Sequence, residues 1–332
     1  MSVAADTVPI GDAFEANRRR LFALCYRMTG SASDAEDLVQ STFERALDRP
    51  PRDTRRPWGP WLTKVAVNLS RDHLRRRRRQ RYVGPWLPEP IDTDAWIEEL
   101  AHESEPRFEP TDTAGRYDLL ESVSFAFLVA LEALTPTQRA VLLLRDVIEY
   151  SAREAAEALD LTEANVRTTL HRARKAMAEY DASRASASLP DAEARDLVGR
   201  FLLHMAARDA EAIAAMLHED VVHLADGAGK VSTARIPVLG RARVAKLHAG
   251  IGKGMGSPQV AFSRLNGQLA ILVEFPDGPP KRHLAQRYAV IARPGADGRF
   301  RGIYFVANED KLRGVDFDGA AWIEMPAPGA TV

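Results

Sequence analysis

Between positions 165 and 174 the chain concentrates side chains that read nucleic acid: Asn165, Arg167, Thr168, His171, Arg172 and Arg174. Arginine, asparagine and threonine reach base edges in a major groove, and the later arginines fall where phosphates pass. The neighbouring sequence specifies the elements that must hold them. Val166, Leu170, Ala173 and Met177 recur at helical spacing, so they predict an inward face and leave the polar set outward. Ser151 to Leu159 predicts a shorter helix before it, opened by a Ser-x-x-Glu capping box of Ser151 and Glu154. The turn Asp160-Leu161-Thr162 separates the two, with Thr162 positioned to cap the second. Two helices with this turn form a helix-turn-helix, whose second helix enters a major groove. The competing reading is an ordinary amphipathic helix with a solvated basic face, because the pattern is short and permissive.

A second polar face lies upstream. A helix predicted from Trp61 to about Arg79 buries Leu62, Val65, Ala66 and Leu69, and turns Trp61, Lys64, Asn68, Arg71, Asp72 and Arg75 outward. Arg75 and Arg76 begin a run of five arginines ending at Arg79, and from Arg45 to Arg81 there are thirteen Lys/Arg against three Asp/Glu. Aromatics and arginines on one face suit single-stranded DNA, which needs stacking surfaces and backbone neutralisation. Two helices precede this one. The first buries Phe14, Leu21, Leu24, Cys25 and Met28 and ends near Gly30. The second, with a capping box assigned to Ser33 and Glu36, buries Ala35, Leu38, Val39, Thr42, Phe43 and Ala46. An Arg- and Pro-rich loop from Asp48 to Pro60 connects it to the basic helix. From Glu89 to Glu121 the balance reverses to eleven acidic residues against two arginines, interrupted by Pro90, Pro106 and Pro110, which reads as a linker.

Composition bounds the rest. The 332 residues leave room for two or three domains, and a hydrophobic content of 45% supports real cores. The single cysteine, Cys25, allows no internal disulfide and sits among apolar neighbours as a structural thiol, which fits a reducing compartment. Met1 to Phe14 lacks the pattern of a signal peptide, and no run approaches the roughly 20 apolar residues of a membrane span. The expectation is a soluble cytoplasmic protein without membrane partners.

Beyond Tyr180 about 150 residues predict a third unit: helices over Asp191–Ala207 and Asp209–Leu217, a strand over Val221–Ala225, a turn at Asp226–Lys230, another strand and a helix near Arg241–Gly250. Strand-like runs follow at Gln259–Leu265, Gln268–Phe275, His283–Ala292 and Arg299–Val306, and Asn266-Gly267 is a strong hairpin signal.

Three segments together resemble one family. Asp34–Phe43 is similar to the polymerase-binding helix of extracytoplasmic-function sigma factors, and Trp61–Asp72 with the arginine run to their −10 recognition helix. Leu134–Met177 is similar to their −35 domain. The third unit resembles the SnoaL-like cone, an α+β fold, and the combination resembles a subgroup whose C-terminal cone acts in cis. The resemblance implies a multidomain chain: region 2 over 10–82, an acidic linker over 83–116, region 4 with the helix-turn-helix over 117–181, and the cone over 190–325. It implies core RNA polymerase as partner through Asp34, Asp37 and Gln40. It also implies −10 DNA contacts through Trp61, Asn68, Arg71, Arg75 and Arg76, with Trp58 and Trp61 as candidate stacking groups for a flipped base. The six residues of the helix-turn-helix face would read the −35 element, Arg167, Thr168 and His171 at bases and Arg172 and Arg174 at phosphates. Regulatory contacts would come from Trp86 and Pro88 in Trp86–Pro90, Asp226, Gly227 and Lys230 in the turn, and Asn308, Asp310, Lys311 and Leu312 in Asn308–Leu312. Ala228 and Glu309 depart from the subgroup's Gly and Pro. Ala228 matters if its position needs a positive φ.

Catalysis is not expected. His204, His223, Asp226 and His283 could supply acid or base groups, but no spacing singles out a pair, and no metal or cofactor is implied. A one-component transcription regulator with a ligand-sensing cone would explain the helix-turn-helix and the cone. It leaves Asp34–Phe43 and Asn68–Arg79 unexplained.

Overall fold

The computed structural model describes residues 9–92, 116–184, 191–251, 258–279 and 281–324. Most of the expected linker over 83–116, its residues 93–115, therefore lies outside the described residues. The chain forms two compact units. One comprises residues up to Gln80 together with Ala95–Tyr180, and the other joins Arg81–Asp94 to everything from Asp181.

In the first unit α1 (Ile10–Thr29), α2 (Ala32–Asp48) and α3 (Gly59–Arg79) pack on one another around Leu21, Met28, Phe43, Leu62 and Ala66. Cys25 is buried among them, its thiol pushed up to about 12 by burial and only partly drawn back by Ser70, so it is an inert packing group. Gly30 ends α1 in the left-handed conformation (φ 69°), a C-cap geometry that glycine adopts without strain. The chain re-enters extended at Ser31, whose hydroxyl accepts the Asp34 amide at 3.1 Å. Ser31 rather than Ser33 is thus the cap of α2. The sequence offers Ser-x-x-acid twice, and the left-handed stop at Gly30 selects the earlier pair.

Four further helices follow: α4 (Phe125–Leu131), α5 (Pro136–Asp146), α6 (Ala152–Leu159) and α7 (Glu163–Ala176). The capping box of Ser151 and Glu154 is present, and Thr162 caps α7 by accepting the Asn165 amide at 3.2 Å. Asp160 takes the left-handed turn conformation (φ 54°) between them. A short helix, α8 (Ala178–Arg184), completes the segment.

In the second unit α9 (Asp191–Ala207) and α10 (Ala210–Ala215) lead into β1 (Leu217–Asp226) and the short β2 (Val238–Leu239). Then come α11 (Arg241–Ile251), β3 (Gln259–Leu265), β4 (Gln268–Glu274), β5 (Arg287–Pro294), β6 (Phe300–Val306) and β7 (Ile323–Glu324). The sheet order is β2-β1-β6-β5-β4-β3-β7, antiparallel except for the β1–β6 pair. Asn266 (φ 52°) and Gly267 (φ 72°) make the two-residue turn between β3 and β4. The helices cover one face of the sheet, with Leu197, Phe201 and Val244 in one apolar cluster with Ile271 and Phe300 of the strands.

Candidate nucleic-acid interface

The polar face of α7 is open. Val166, Leu170, Ala173 and Met177 are buried, while Asn165, Arg167, Thr168, His171 and Arg172 are exposed. Arg167 makes only a surface pair with Glu163 at 2.7 Å, which water competes for and which leaves the guanidinium available. Thr168 is tied to the Ala164 carbonyl at 3.0 Å. Arg174 differs from the others. Its guanidinium grips the buried Asp146 carboxylate through two bonds of 2.9 and 2.6 Å. That hydrogen bond raises the guanidinium above its ordinary value. Arg174 therefore braces α7 on α5, a contact that its position on the helix wheel did not disclose.

The α3 face is covered. Lys64 Nζ lies 2.5 Å from Asp160 Oδ1 and 2.9 Å from the Glu157 carbonyl. Asn68 Nδ2 donates to the Ala158 carbonyl at 3.1 Å. Arg71 donates to the Leu159 carbonyl at 3.2 Å and to Asn68 Oδ1 at 2.9 Å. The C-terminal carbonyls of α6 are the orphan acceptors that every helix end exposes, and their negative dipole end attracts cations. Three polar residues of α3 satisfy them. Trp58 is buried at the start of α3, with Trp61 half-buried and edge-on to it at 6.4 Å. Arg75 and Arg76 remain exposed, Arg75 paired to Asp72 at 2.7 Å.

A deeper ionic knot lies behind this face. Glu132 accepts two bonds from Arg77, each 2.9 Å, and one from Arg139 at 2.6 Å. Arg139 is 2% exposed and also donates to the Met28 and Leu131 carbonyls. Burial pushes the Glu132 carboxyl up, but the two guanidiniums outweigh it and hold the group below its ordinary value. Arg27, likewise buried, donates to Ser122 Oγ at 2.7 Å. Arg77 is expected from sequence only as part of the arginine run along the DNA backbone, whereas here it pairs with Glu132; Glu132, Arg139 and Arg27 were not singled out from sequence. Arg27 and Arg139 on otherwise apolar helix faces were the available signal.

On α2, Asp37 and Gln40 are exposed, Gln40 donating to Glu44 at 2.9 Å. Asp34 is half-buried 3.2 Å from His73 Nε2. Burial alone would raise its carboxyl, yet His73, Ser31 and Arg77 together lower it.

The second unit gathers most of the remaining residues. Asp226, fully buried, accepts from Tyr82 Oη (2.5 Å), the Leu87 amide (2.9 Å), Lys311 Nζ (2.7 Å) and the Ala228 amide (3.1 Å). Lys311 Nζ also donates to the Leu87 carbonyl and lies 3.9 Å from the Trp86 ring centre. Asn308 Nδ2 reaches Tyr82 Oη at 3.5 Å, and Leu87, Pro88, Glu89, Pro90 and Ile91 are buried. Residues 81–92 are thus clasped by the sheet domain instead of running free. Asn266 anchors the far end, exchanging bonds with Ile91 through its amide (3.0 Å) and Oδ1 (3.1 Å). Leu87 falls within the expected contact segment Trp86–Pro90, whereas nothing in the sequence singles out Tyr82, and Asn266 reads there only as a turn residue. Lys230 contacts Asp310 at 2.5 Å, tying the turn to the 3-10 segment at Glu309–Lys311. A Cβ at Gly227 would meet Thr233 and Val231 at 2.9 Å, and one at Gly229 would meet Val83 at 3.0 Å, so both glycines permit close packing. Ala228 does sit at positive φ (50°). Leu312 is buried.

Residues 13–80 match the family model for sigma-70 region 2, and residues 124–177 match sigma-70 region 4. The chain is 35% identical over 309 residues to the extracytoplasmic-function RNA polymerase sigma factor SigJ of Mycobacterium tuberculosis, covering 91% of this chain and 92% of that protein. It is 35% identical over 220 residues to SigG of the same organism, covering 63% of this chain and 59% of that one. The crystal structure of Mycobacterium tuberculosis SigJ superposes with a TM-score of 0.67 at 30% identity, over 91% of this chain and 97% of that chain.

Proposed function

The chain belongs to the extracytoplasmic-function RNA polymerase sigma factors, and we propose that it directs promoter-specific initiation from a closed resting arrangement that polymerase must open. It binds core RNA polymerase and promoter DNA. In this reading Asp34, Asp37 and Gln40 meet polymerase, and α7 reads the −35 element through Asn165, Arg167, Thr168, His171 and Arg172. Asn68 and Arg71 serve the −10 element, flanked by Trp61, Arg75 and Arg76. The observation that carries the resting arrangement is the capping of α6 carbonyls by Asn68 and Arg71. Those donors cannot serve a DNA strand and the helix end together. The clasp on residues 81–92 acts in cis by fixing the chain that leaves α3. No catalytic step belongs to this reading. No helix among the described residues is long and apolar enough to cross a membrane, and we assign the protein to the cytoplasm.

Core polymerase binding and promoter opening with two variants test the assignment. Asp37→Arg reverses the charge on the exposed α2 face and weakens polymerase binding first. Asn68→Ala leaves polymerase binding intact and impairs opening of duplex promoters, while a pre-melted −10 region restores much of the loss, because extruding a base costs a few kcal/mol. Loss of polymerase binding in Asn68→Ala would return that residue to a structural role.

A further inference from the structure

The sheet domain contains a cavity of about 630 Å³ to which no residue of 81–92 contributes, so the clasp leaves it open. His223, Phe275, Tyr288 and Phe305 line it, with Lys281 and His283 at the exposed rim. Tyr288, Phe305 and Ile251 also line an adjoining apolar hollow of about 40 Å³ beside His248. The joint volume is in the range of small-molecule sites, which are mostly apolar with a few convergent polar groups.

Where the cavity meets the adjoining hollow, three buried ring nitrogens, on His223 and His248, make no hydrogen bond. His248 is 4% exposed and neither ring nitrogen is hydrogen-bonded; His223 is 2% exposed and its Nδ1 is likewise unpaired. Their rings stand edge-to-face at 5.1 Å, and Phe201 meets His248 in the same way at 5.1 Å. Unpaired buried polar atoms are rare in folded proteins, and each asks for an explanation. Burial pushes His223 down to about 4 and His248, with His223 beside it, to about 3. Both imidazoles are therefore neutral near neutral pH, each offering one N–H donor and one acceptor. A neutral hydroxyl or carbonyl matches that pair. A carboxylate would be desolvated there with no cation facing it, since the lining cation, Lys281, is at the rim.

We propose that this cavity binds an uncharged, ring-bodied small molecule whose hydroxyl or carbonyl oxygen pairs with His223 and His248 while its apolar body packs on Phe275, Tyr288 and Phe305. The site stands independently of the transcriptional reading. Its position also gives an occupant a route to the clasp: His223 lies three residues from Asp226 on β1, and the Ala307 amide, on the cavity wall, donates to the Asp226 carbonyl at 2.8 Å.

The test titrates the full chain with 2-naphthol and with naphthalene, which differ by one hydroxyl. One saturable site is expected, with 2-naphthol bound roughly tenfold more tightly, the worth of one net hydrogen bond. The side-chain ¹⁵N resonances of His223 and His248 shift with 2-naphthol and stay put with naphthalene. His223→Phe and His248→Phe erase the preference. Leu247→Trp, at a half-buried wall position, fills the cavity and removes binding of both probes, and it carries the test if the histidine variants do not fold. Absence of binding, a hydroxyl preference that survives in folded histidine variants, or unchanged binding in folded Leu247→Trp would overturn the proposal.

Discussion

Lys311 is the residue whose loss separates clasp from core most cleanly. Its ammonium touches Asp226, the Leu87 carbonyl and the Trp86 ring, and it is 8% exposed. Lys311→Met keeps much of the aliphatic volume and removes the charge. Asp226 then remains fully buried with only neutral donors, and breaking a buried pair from one side costs about 3–5 kcal/mol. Apart from Asp226, the lost contacts lie on residues 81–92: the Leu87 carbonyl, the Trp86 ring and the Tyr82 ring at 5.3 Å, and a desolvated cation–ring contact alone is worth about 2 kcal/mol. We assign about 2–4 kcal/mol to the hold on that segment, which raises its released population roughly 30- to 700-fold at 1.4 kcal/mol per decade. Hydrogen exchange at single amides measures this directly. The Leu87 amide, which donates to Asp226 at 2.9 Å, should lose protection by that factor. The Ile91 amide, held separately by Asn266 at 3.1 Å, should lose less. Amides of β4 and β5 should keep theirs. Unchanged Leu87 exchange in a folded variant, or an equal loss across β4 and β5, would refute the reasoning by making Lys311 irrelevant to the clasp or merely a core residue.

Three further outcomes follow from particular contacts. His223 and His248 are depressed by burial to about 4 and about 3, so the stability they protect is complete above the ordinary value of 6.5 and drains away as pH falls below it. Each then costs about 2 kcal/mol by pH 5, and urea midpoints of the second unit should fall between pH 7 and 5; a flat profile there would count against the burial. Ala228→Gly relieves a left-handed alanine, roughly 1–2 kcal/mol, against up to about 1 kcal/mol of added unfolded-state entropy. A higher melting temperature is expected and a lower one would contradict it. Arg167→Ala should relax preference at one −35 base by about 1–3 kcal/mol with little change in stability. Arg174→Ala should instead lower the melting temperature by stranding the buried Asp146, and the reverse pattern would exchange the two roles.

What the sequence made legible and what it hid divide along range of interaction. The two helix caps at Ser151 and Thr162, the buried stripe of α7 and the Asn266-Gly267 turn are all written within a few residues, and each is present. The cap of α2 was read two residues late because Ser31 and Ser33 both satisfy the same local rule, and only the left-handed Gly30 distinguishes them. Strand ends shifted for a related reason: β5 starts at Arg287, four residues after the alternation begins at His283. The contacts that shape the candidate site span far more chain. Tyr82 and Asn308 are 226 residues apart and Lys64 and Asp160 are 96 apart. No local pattern announces that Asn68 will cap a distant helix end, nor that Arg174 will turn back to Asp146. A charged residue on an apolar face, as at Arg27 and Arg139, is the trace that such contacts leave in sequence.

The resting arrangement is tested most directly by a distance between spin labels at two exposed positions, Glu44 on α2 and Lys175 on α7, measured in the free chain and on core polymerase with promoter DNA. One narrow distribution is expected in the free chain and a longer distance on polymerase, because Asn68 and Arg71 must leave the α6 carbonyls before they can meet DNA. Glu132→Gln, which removes the carboxylate charge shared by Arg77 and Arg139, should broaden the free distribution toward that longer distance. The same short distance in the free chain and in a transcribing complex would contradict the claim that the two helical domains part for initiation.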